Sequence, residues 1–271
     1  MDIQDALEIA SLTDQGRVRP HNEDSLAWDA ACGLVVLADG MGGYNAGEVA
    51  SGLAVRALTD GFAADFAQLR AARRDNGGAV QIAAELLNVY VHKANRVIYE
   101  MARVEAECAG MGTTLVAGVF CDNKLVTAHV GDSRLYRLRD GQLETVTRDH
   151  SLVQEMVDGG LISKHDARRS NNRNLITRAL GTQPDVEVEI GIYPVRVGDL
   201  YLLCSDGLND MVEDEEIAEI AEALQANLPL TANHLVQSAN DYGGRDNISV
   251  LLVKVKADFA LPRKWLARWL P

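Results

Sequence analysis

The chain has 271 residues and a formal net charge of −13, from 39 acidic and 26 basic side chains. Hydrophobic residues make up 47% of it and charged residues 24%, a composition that excludes a disordered or collagen-like chain and allows a sizeable core. The acidic surplus excludes a general nucleic-acid-binding protein, because such a surface repels the phosphate backbone.

Apolar residues recur along the chain in two spacings, as strand-length runs and at helical periodicity. In chain order they predict a strand at 34–38, helices at 47–69 and 79–103, strands at 113–120 and 125–130, a short helix at 152–158, strands at 186–190 and 200–204, helices at 213–226 and 231–240, and a strand at 248–255. Strands and helices do not alternate as βαβ units, so the predicted fold class is α+β, with antiparallel sheets and helices segregated outside them.

Targeting signals and cysteine spacing bear on the compartment. The first residues carry no basic region followed by an apolar run, and no later stretch approaches the roughly 18 apolar residues of a membrane span. We therefore expect a cytoplasmic protein without a transmembrane segment. The cysteines, Cys32, Cys108, Cys121 and Cys204, include no CxxC pair, so we expect reduced, mostly buried thiols and neither a zinc site nor disulfides.

An aspartate flanked by Gly, Asn or Glu recurs at five predicted strand ends or in the loops beside them. The five segments are Asn22-Glu23-Asp24, Ala38-Asp39-Gly40-Met41-Gly42-Gly43, Gly131-Asp132-Ser133, Ser205-Asp206-Gly207 and Arg245-Asp246-Asn247. One such segment is ordinary turn chemistry, but five together predict carboxylates that converge on hard cations such as magnesium or manganese. No histidine cluster accompanies them in the sequence, which makes zinc the less expected metal.

These segments, with Arg17-Val18-Arg19-Pro20-His21 before the first and Gly112-Thr113-Thr114 in the middle, resemble the metal-dependent protein phosphatase family, type 2C (PPM), in its bacterial serine/threonine form. The resemblance covers about residues 9–255. It implies a central β-sandwich of two antiparallel sheets flanked by pairs of helices, with a binuclear metal centre at one edge. It also implies a phosphatase domain over residues 1–256, with a flap at about 150–180 near the active site and a separate tail at 257–271.

The resemblance implies a role for each acidic motif and for one arginine. By this resemblance, Asp39 would bridge two metals, and the Gly40 carbonyl would bind one of them. Asp206 and Asp246 would bind the other metal, and Asp132 would bind a third. Glu23 and Asp24 would contact the metals largely through water, and Arg19 would bind phosphate. The chemistry agrees, because the planar guanidinium fork can bind two phosphate oxygens. Arg17 is a near neighbour that could replace Arg19 in that role.

The implied activity is single-step hydrolysis of phosphoserine and phosphothreonine in proteins, with two Mg²⁺ or Mn²⁺ ions and a possible third as cofactors. A hydroxide that bridges two cations about 3.5–4 Å apart is a strong nucleophile at neutral pH, so no covalent phosphoenzyme is needed. The implied partners are phosphorylated proteins and a bacterial Ser/Thr kinase whose signal transduction the enzyme opposes. Two alternatives stay open, a catalytically silent phosphoprotein-binding module of the same fold and a phosphatase of small phosphate esters.

Several residues near these motifs are not assigned a catalytic role. Met41 stands where eukaryotic relatives carry a histidine general acid, so the leaving group takes its proton elsewhere, for instance from a metal-bound water. His21 and His150 are not in matching positions. Cys204 lacks the glycine-rich phosphate loop and the arginine of a cysteine phosphatase, and we expect it to be a buried strand residue.

Two basic segments, in the flap and in the C-terminal tail, can each be interpreted in two ways. The flap arginines Arg168, Arg169 and Arg173 either steer phosphorylated substrate or belong to a solvated loop, and we expect the flap to be mobile. The tail at 257–271, with Trp265 and Trp269 among basic residues, either packs on its own domain or forms an amphipathic helix that docks a partner or a membrane surface.

Overall fold

The architecture is that of a computed structural model, which describes residues 2–43, 46–72, 78–170 and 172–261. The strands are β1 Leu7–Asp14, β2 Asp24–Asp29, β3 Leu34–Met41, β4 Gly112–Thr113, β5 Leu115–Cys121, β6 Lys124–Val130, β7 Arg134–Arg139, β8 Gln142–Thr145, β9 Glu189–Pro194, β10 Leu200–Cys204 and β11 Ile248–Val255. The α-helices are α1 Ile3–Ala6, α2 Ala46–Ala72, α3 Gly78–Val104, α4 Leu152–Asp158, α5 Lys164–Arg169, α6 Asp206–Asn209, α7 Asp214–Leu224 and α8 Leu228–Asp241.

The strands form two antiparallel sheets. In one sheet the strand order is β1-β11-β10-β7-β8, and in the other it is β2-β3-β5-β6-β9, with the short β4 beside β3. The helices lie outside the sheets and do not alternate with parallel strands, so the predicted α+β class is confirmed.

A hydrophobic cluster between the two sheets makes them a sandwich. It includes Val35 and Leu37 of β3 in one sheet and Leu251 and Val253 of β11 in the other. Because successive side chains of a strand point to opposite faces, the residue between the first two, Val36, belongs instead to the cluster under the helices. Both faces of the central strands are therefore buried, which explains why these strands are continuous apolar runs in the sequence.

Pairs of helices cover both outer faces of the sandwich. The long helices α2 and α3 pack on the sheet that contains β3 and β6, and α7 and α8 pack on the sheet that contains β11. The two long predicted helices are confirmed and extend one to three residues beyond their predicted ends. Helix α8 begins earlier than predicted because the Asn227 side chain accepts a hydrogen bond from the Leu230 N–H and caps it.

Two predicted strands differ from the observed ones, and both differences adjoin the carboxylate motifs. The predicted strand 113–120 is interrupted at Thr114, whose backbone N–H donates to the carbonyl of Asp39 at 2.9 Å. The prediction of a strand at 186–190 is wrong for 186–188, since β9 begins only at Glu189. Its neighbour β6 ends at Val130, and Gly131, with φ of 110°, turns the chain away, so β9 has no partner strand beyond the position opposite Val130.

The predicted flap region forms two short helices, α4 and α5, between residues 150 and 180. A bridge between Ser151 and Ile176 joins the two ends of the flap to each other. The bridge from Thr113 to Leu180 and the hydrogen bond from the His150 N–H to the Gly131 carbonyl attach these ends to the rest of the domain. The mobility of the flap stays a prediction.

The chain packs on its own domain at least as far as residue 261. Phe259 is buried in the cluster between the sheets, and its backbone N–H donates to the Asn123 side chain at 2.9 Å. The rest of the predicted tail helix, residues 262–271, lies outside the described residues. Within the described residues, no helix is long and apolar enough to cross a membrane.

Candidate metal centre

Strand direction brings the carboxylate motifs to one end of the sandwich. Asp39, near the end of β3, is paired with Asp24, the first residue of β2. In the other sheet β10 ends beside the beginning of β11, which places Asp206 and Asp246 just beyond neighbouring strand ends. The two sheets meet here, since the Ser205 hydroxyl donates to Asp24 Oδ2 at 2.8 Å.

The backbone of Asp39 is held on both sides by the two threonines at the break between β4 and β5. Its carbonyl accepts hydrogen bonds from the Thr114 N–H at 2.9 Å and from the Thr113 hydroxyl at 2.8 Å, and its N–H donates to Thr114 Oγ1 at 3.1 Å. Thr114 Oγ1 also lies 2.7 Å from Ser133 Oγ, which connects Asp39 to the loop that carries Asp132. These contacts fix the backbone and leave the Asp39 carboxylate available to bind a ligand.

Two buried carboxylate oxygens at this end have no hydrogen-bond partner among the described residues. They are Asp24 Oδ1 and Asp206 Oδ1, on side chains from the two different sheets. Burying an unpaired anionic oxygen is costly unless a cation or a donor meets it. The pair of unpartnered oxygens therefore indicates that the cluster is built around cations.

Gly40 lies where no larger residue fits. A Cβ there would lie 2.1 Å from the carbonyl oxygen of Gly47 and 2.5 Å from that of Glu23. The Gly40 N–H donates to the same Glu23 carbonyl at 3.1 Å. A Cβ on Gly47, in turn, would lie 2.7 Å from Glu23 Cδ, so both glycines are needed to bring the Glu23 carboxylate and the Gly40 backbone together.

Arg19 lies at the open side of the centre on a loop held by Asn247. The Asn247 amide accepts from the Glu23 N–H at 2.8 Å and donates to the carbonyls of Gln15 and His21 at 3.0 and 2.9 Å. Arg19 Nη2 donates to Asp246 Oδ2 at 2.6 Å, and its side chain is 48% exposed. The guanidinium is therefore anchored to a carboxylate of the cluster and remains accessible to a ligand from solvent.

Burial and mutual repulsion disfavour the charged form of these carboxylates. Burial, followed by the charges of Asp24 and Asp206, holds the pKa of Asp39 well above its usual range, and burial with the charge of Asp132 does the same to the pKa of Asp206. Burial raises the pKa of Asp24 from 3.8 to about 6. Burial with the charge of Asp149 raises the pKa of Asp132 to about 7. Bound cations would reverse these shifts, so metals and protons compete for this site.

The Asp132 loop is supported by two buried histidines that lie side by side. The rings of His129 and His150 have centroids 4.8 Å apart. His150 accepts a hydrogen bond at Nδ1 from the Gly131 N–H at 3.1 Å, its own N–H donates to the Gly131 carbonyl at 2.8 Å, and its Nε2 donates to Glu189 Oε2 at 3.3 Å. His150 thus holds the residue before Asp132 from both sides.

These two histidines and Glu189 could also bind a metal ion, because their possible ligand atoms all lie within 4.8 Å of one another. Among the described residues, no other group of three His, Cys, Asp or Glu side chains meets this condition. His129 Nε2 donates to the Ser133 carbonyl at 2.9 Å, and its buried Nδ1 has no partner in the described part of the chain. The Gly131 N–H, however, requires an unprotonated Nδ1 on His150 and hence a proton on its Nε2. A metal at that Nε2 would have to displace the proton, so the hydrogen bonds favour a supporting role for this group.

Comparisons with known proteins agree on one family. A family profile described as protein phosphatase 2C matches residues 16–241. The serine/threonine phosphatase stp of Listeria monocytogenes is 41% identical over 245 residues, which cover 89% of this chain and 93% of that protein. The serine/threonine protein phosphatase PstP of Mycobacterium tuberculosis is 42% identical over 249 residues, covering 92% of this chain and 45% of PstP.

The chain belongs to the protein phosphatase 2C family.

Solved structures of the family have the same fold. The catalytic domain of PstP, in complex with two manganese ions, gives a TM-score of 0.79 at 40% identity and covers 93% of this chain and 99% of that domain. Stp1 from Staphylococcus aureus gives a TM-score of 0.83 at 34% identity, covering 93% of this chain and 96% of Stp1. The predicted sandwich and the predicted family are confirmed.

The residues present fit hard divalent cations. The cluster supplies aspartate oxygens, including the two that are buried without a partner, and a backbone carbonyl at Gly40 that is approachable because no Cβ is there. Magnesium and manganese prefer such oxygen ligands and retain water in their coordination shells. Family membership and donor chemistry thus lead to the same cofactors, Mg²⁺ or Mn²⁺.

The structure brings together all the residues that the sequence singled out for this site. Asp24, Asp39, Asp132, Asp206, Asp246, Glu23, Gly40 and Arg19 all lie at one end of the sandwich. Sequence reasoning gave no role to the supporting residues Thr114, Ser205 and Asn247, although all three lie within the quoted motifs. It could not find the group of His129, His150 and Glu189, whose members are distant in sequence.

Cys204 is buried at the end of β10, as predicted. Burial holds the pKa of its thiol well above the usual range, so the thiolate that a cysteine phosphatase needs is disfavoured. Cys32 and Cys121 are buried as well.

Proposed function

We propose that this protein is a metal-dependent serine/threonine protein phosphatase that hydrolyses phosphoserine and phosphothreonine in a single step. The observation that carries the proposal is the convergence of five aspartates and an anchored, accessible arginine at one end of a protein phosphatase 2C fold. The relatives stp and PstP are serine/threonine phosphatases by name.

We assign the ligand roles from the placement of the carboxylates. Asp39 lies close to the charge of Asp24 from its own sheet and to the charges of Asp206 and Asp246 from the other sheet, and we propose it as the common ligand of two cations. The Gly40 carbonyl is the proposed ligand of one cation, and Asp206 and Asp246 are the proposed ligands of the other. Asp132 is the proposed ligand of a third cation. Glu23 and Asp24 are proposed to reach the cations largely through water.

The chain's own groups bind and orient the phosphate. When bound, the cations would lower the pKa of a water enough for it to act as a nucleophile at neutral pH, and they would supply positive charge for the phosphoryl oxygens. Arg19 offers N–H groups from the solvent side, and its hydrogen bond to Asp246 fixes the direction of the guanidinium. Met41, next to Gly40, cannot donate a proton, so we propose that the leaving alkoxide takes its proton from water.

The named relatives and the cysteines support a proposal for the biological setting. The named relatives are bacterial serine/threonine phosphatases, which supports a role in bacterial signal transduction opposite a Ser/Thr kinase and its substrates. The four cysteines include no CxxC pair, which suits a reducing compartment, and we propose the cytoplasm. For the tail we propose docking to a partner or a membrane surface, and removing residues 262–271 while keeping the packed Phe259 should abolish that binding without unfolding the domain.

The test is phosphate release from a phosphothreonine peptide by the purified protein with manganese, with EDTA, and with the variant Asp39→Asn. We expect turnover that depends on metal and that falls at least about 100-fold in the variant, as loss of a metal-site residue does. Absence of turnover from a folded, metal-loaded protein would favour the silent binding module. Turnover of p-nitrophenyl phosphate but of no phosphopeptide would favour small esters.

A further inference from the structure

The arginines around the metal centre fall into two groups, paired and unpaired. The flap arginine Arg168 forms ion pairs with Glu213 and Asp214, and Arg173 forms one with Asp210 at 3.0 Å. These flap side chains are occupied by carboxylates of the same chain, and they hold the flap to the segment that follows β10. They are therefore poorly suited to the substrate-steering role that their position in the sequence suggests.

Two other arginines, close to Arg19 and Asp246 in the chain, have no such partner among the described residues. Arg17 and Arg245 are exposed, and neither forms an ion pair or side-chain hydrogen bond with any of the described residues. In a chain with a net charge of −13, two unpaired guanidinium groups beside an acidic centre form a local basic patch.

The segments that carry these arginines are joined to each other. The Arg17 N–H donates to the Gly244 carbonyl at 2.7 Å. A Cβ on Gly16 would lie 2.2 Å from the Asp246 carbonyl oxygen, and a Cβ on Gly244, which has φ of 49°, would lie 2.8 Å from Arg17 Cγ. Glycines on both segments therefore let the stem of Arg17 lie against the backbone beside Arg245.

Chain geometry places both arginines within reach of a peptide that occupies the phosphate site. Arg17 is two residues from Arg19, so their Cα atoms are at most about 7 Å apart. Arg245 is adjacent to Asp246, the residue that accepts the Arg19 hydrogen bond at 2.6 Å. Residues of an extended substrate advance by about 3.3 Å each, so a side chain one or two residues from the target phosphate falls in the same range.

We propose that Arg17 and Arg245 form a second anion-binding site that selects substrates with a phosphate or a carboxylate one or two residues from the target phosphoresidue. This inference rests on the proposed phosphatase function and specifies its substrate class. Guanidinium groups suit both anions, because they pair with phosphate and carboxylate through two N–H groups. The site would favour doubly phosphorylated or acidic segments over neutral ones.

The test compares three phosphothreonine peptides of equal length, with neutral, aspartate or phosphoserine residues flanking the target. With manganese, we expect kcat/KM to be highest for the two peptides with anionic flanks. In Arg17→Gln and in Arg245→Gln this preference should fall about two- to fivefold each, as expected for exposed ion pairs, through KM more than kcat. The double variant should lose it, and added salt should weaken it in the native protein.

Two controls separate this site from general damage. Arg196→Gln changes an exposed arginine in the loop between β9 and β10, at the other end of the sandwich, and should keep the full preference. Turnover of p-nitrophenyl phosphate, which has no flanking residues, normalises each variant, so that the preference is measured as the ratio of kcat/KM between peptides in the same protein. Peptide binding measured by fluorescence anisotropy provides a readout that does not depend on turnover.

Equal kcat/KM and equal affinity for the three peptides in the native protein would overturn the second anion site. So would an unchanged preference in the double variant. A preference for aspartate flanks alone or phosphoserine flanks alone would still support the site and identify the anion it accepts. Failure of the proposed function is distinguishable, because it abolishes turnover of all substrates, whereas failure of this inference leaves turnover intact and indifferent to the flanks.

Discussion

At the scale of single residues, Asp39 determines how the centre responds to pH. Its pKa is held well above the usual range by burial and neighbouring carboxylates, and burial raises the pKa of Asp24 to about 6. A carboxyl whose pKa is raised on folding contributes stability that is complete below its unfolded pKa and is lost as pH rises through the folded pKa. In the metal-free protein, the contribution of this cluster therefore declines from about pH 4 upward through neutral pH.

We predict that Asp39→Asn makes the metal-free protein more stable than the native protein near neutral pH. The substitution removes one repelling charge, and the gain in the free energy of unfolding should be on the order of a few kcal/mol at about pH 7.5 and close to zero at about pH 4. Urea unfolding in EDTA at the two pH values measures it. Asp185→Asn, at an exposed site, is the matched control and should show no such pH-dependent gain. A variant less stable than the native protein at both pH values would contradict the prediction.

Gly40 offers a second residue-scale test, with a matched glycine elsewhere. Gly40→Ala would place a methyl group 2.1 Å from the Gly47 carbonyl oxygen, so we expect a loss of about 1–3 kcal/mol in stability together with loss of metal-dependent turnover. Gly52→Ala, inside α2, meets only Ser25 Oγ at 4.0 Å and should be neutral or slightly stabilising. Thermal unfolding and phosphate release report both effects. Equal behaviour of the two variants would contradict the steric account.

The sequence singled out the proposed ligands of the site but not the residues that support them. Each proposed ligand is an aspartate, a glutamate or a glycine inside a short motif with a chemical reason for its residue types. The supports act through hydrogen bonds between distant segments, such as the one from the Ser205 hydroxyl to Asp24. Such pairs have no spacing in the chain that could predict them.

At the scale of elements, the break between β4 and β5 shows what the apolar pattern could not indicate. Residues 113–120 are apolar enough for one continuous strand, yet Thr114 leaves the ladder and holds the Asp39 backbone by two hydrogen bonds. The spacing of apolar residues indicates which faces of a strand are buried. It does not indicate where the hydrogen bonding between strands is interrupted beside a functional site. The same limit applies to β9, whose beginning is set by the turn at Gly131 in its neighbour.

The loop between β6 and β7 provides an element-scale prediction. His150→Ala removes the ring that accepts from the Gly131 N–H, so the Asp132 carboxylate should be less well placed. We expect the manganese concentration for half-maximal activity to rise about tenfold, as happens when a residue supporting a metal ligand is lost. His150→Asn, which can keep an acceptor facing that N–H, should be milder.

Manganese binding, followed by calorimetry, separates this role from a general loss of stability. Glu189→Ala should shift the metal dependence in the same direction, because it frees the Nε2 side of the His150 ring. His92→Ala, on the exposed side of α3, is the control. A lower melting temperature with unchanged manganese affinity would mean that His150 only stabilises the fold.

At the scale of the whole molecule, the order of elements predicted antiparallel sheets with helices outside them, and the family resemblance implied the two-sheet sandwich. Helices in two separate pairs and strands without βαβ alternation predicted helices outside antiparallel sheets, and the three hydrophobic clusters correspond to the three interfaces between the layers. The strand order within each sheet was not predictable, because central strands buried on both faces are alike in pattern. Part of the net charge of −13 belongs to the centre, where cations offset it.

The central claim is that the aspartates at one end of the sandwich hold at least two divalent cations around Asp39. Anomalous diffraction from crystals grown with manganese tests it most directly. We predict two strong peaks that share Asp39 as a ligand, one of them also contacted by Asp206 and Asp246, with a third, weaker peak at Asp132. No peak within coordination distance of Asp39, or a single ion held by His129, His150 and Glu189, would contradict the claim.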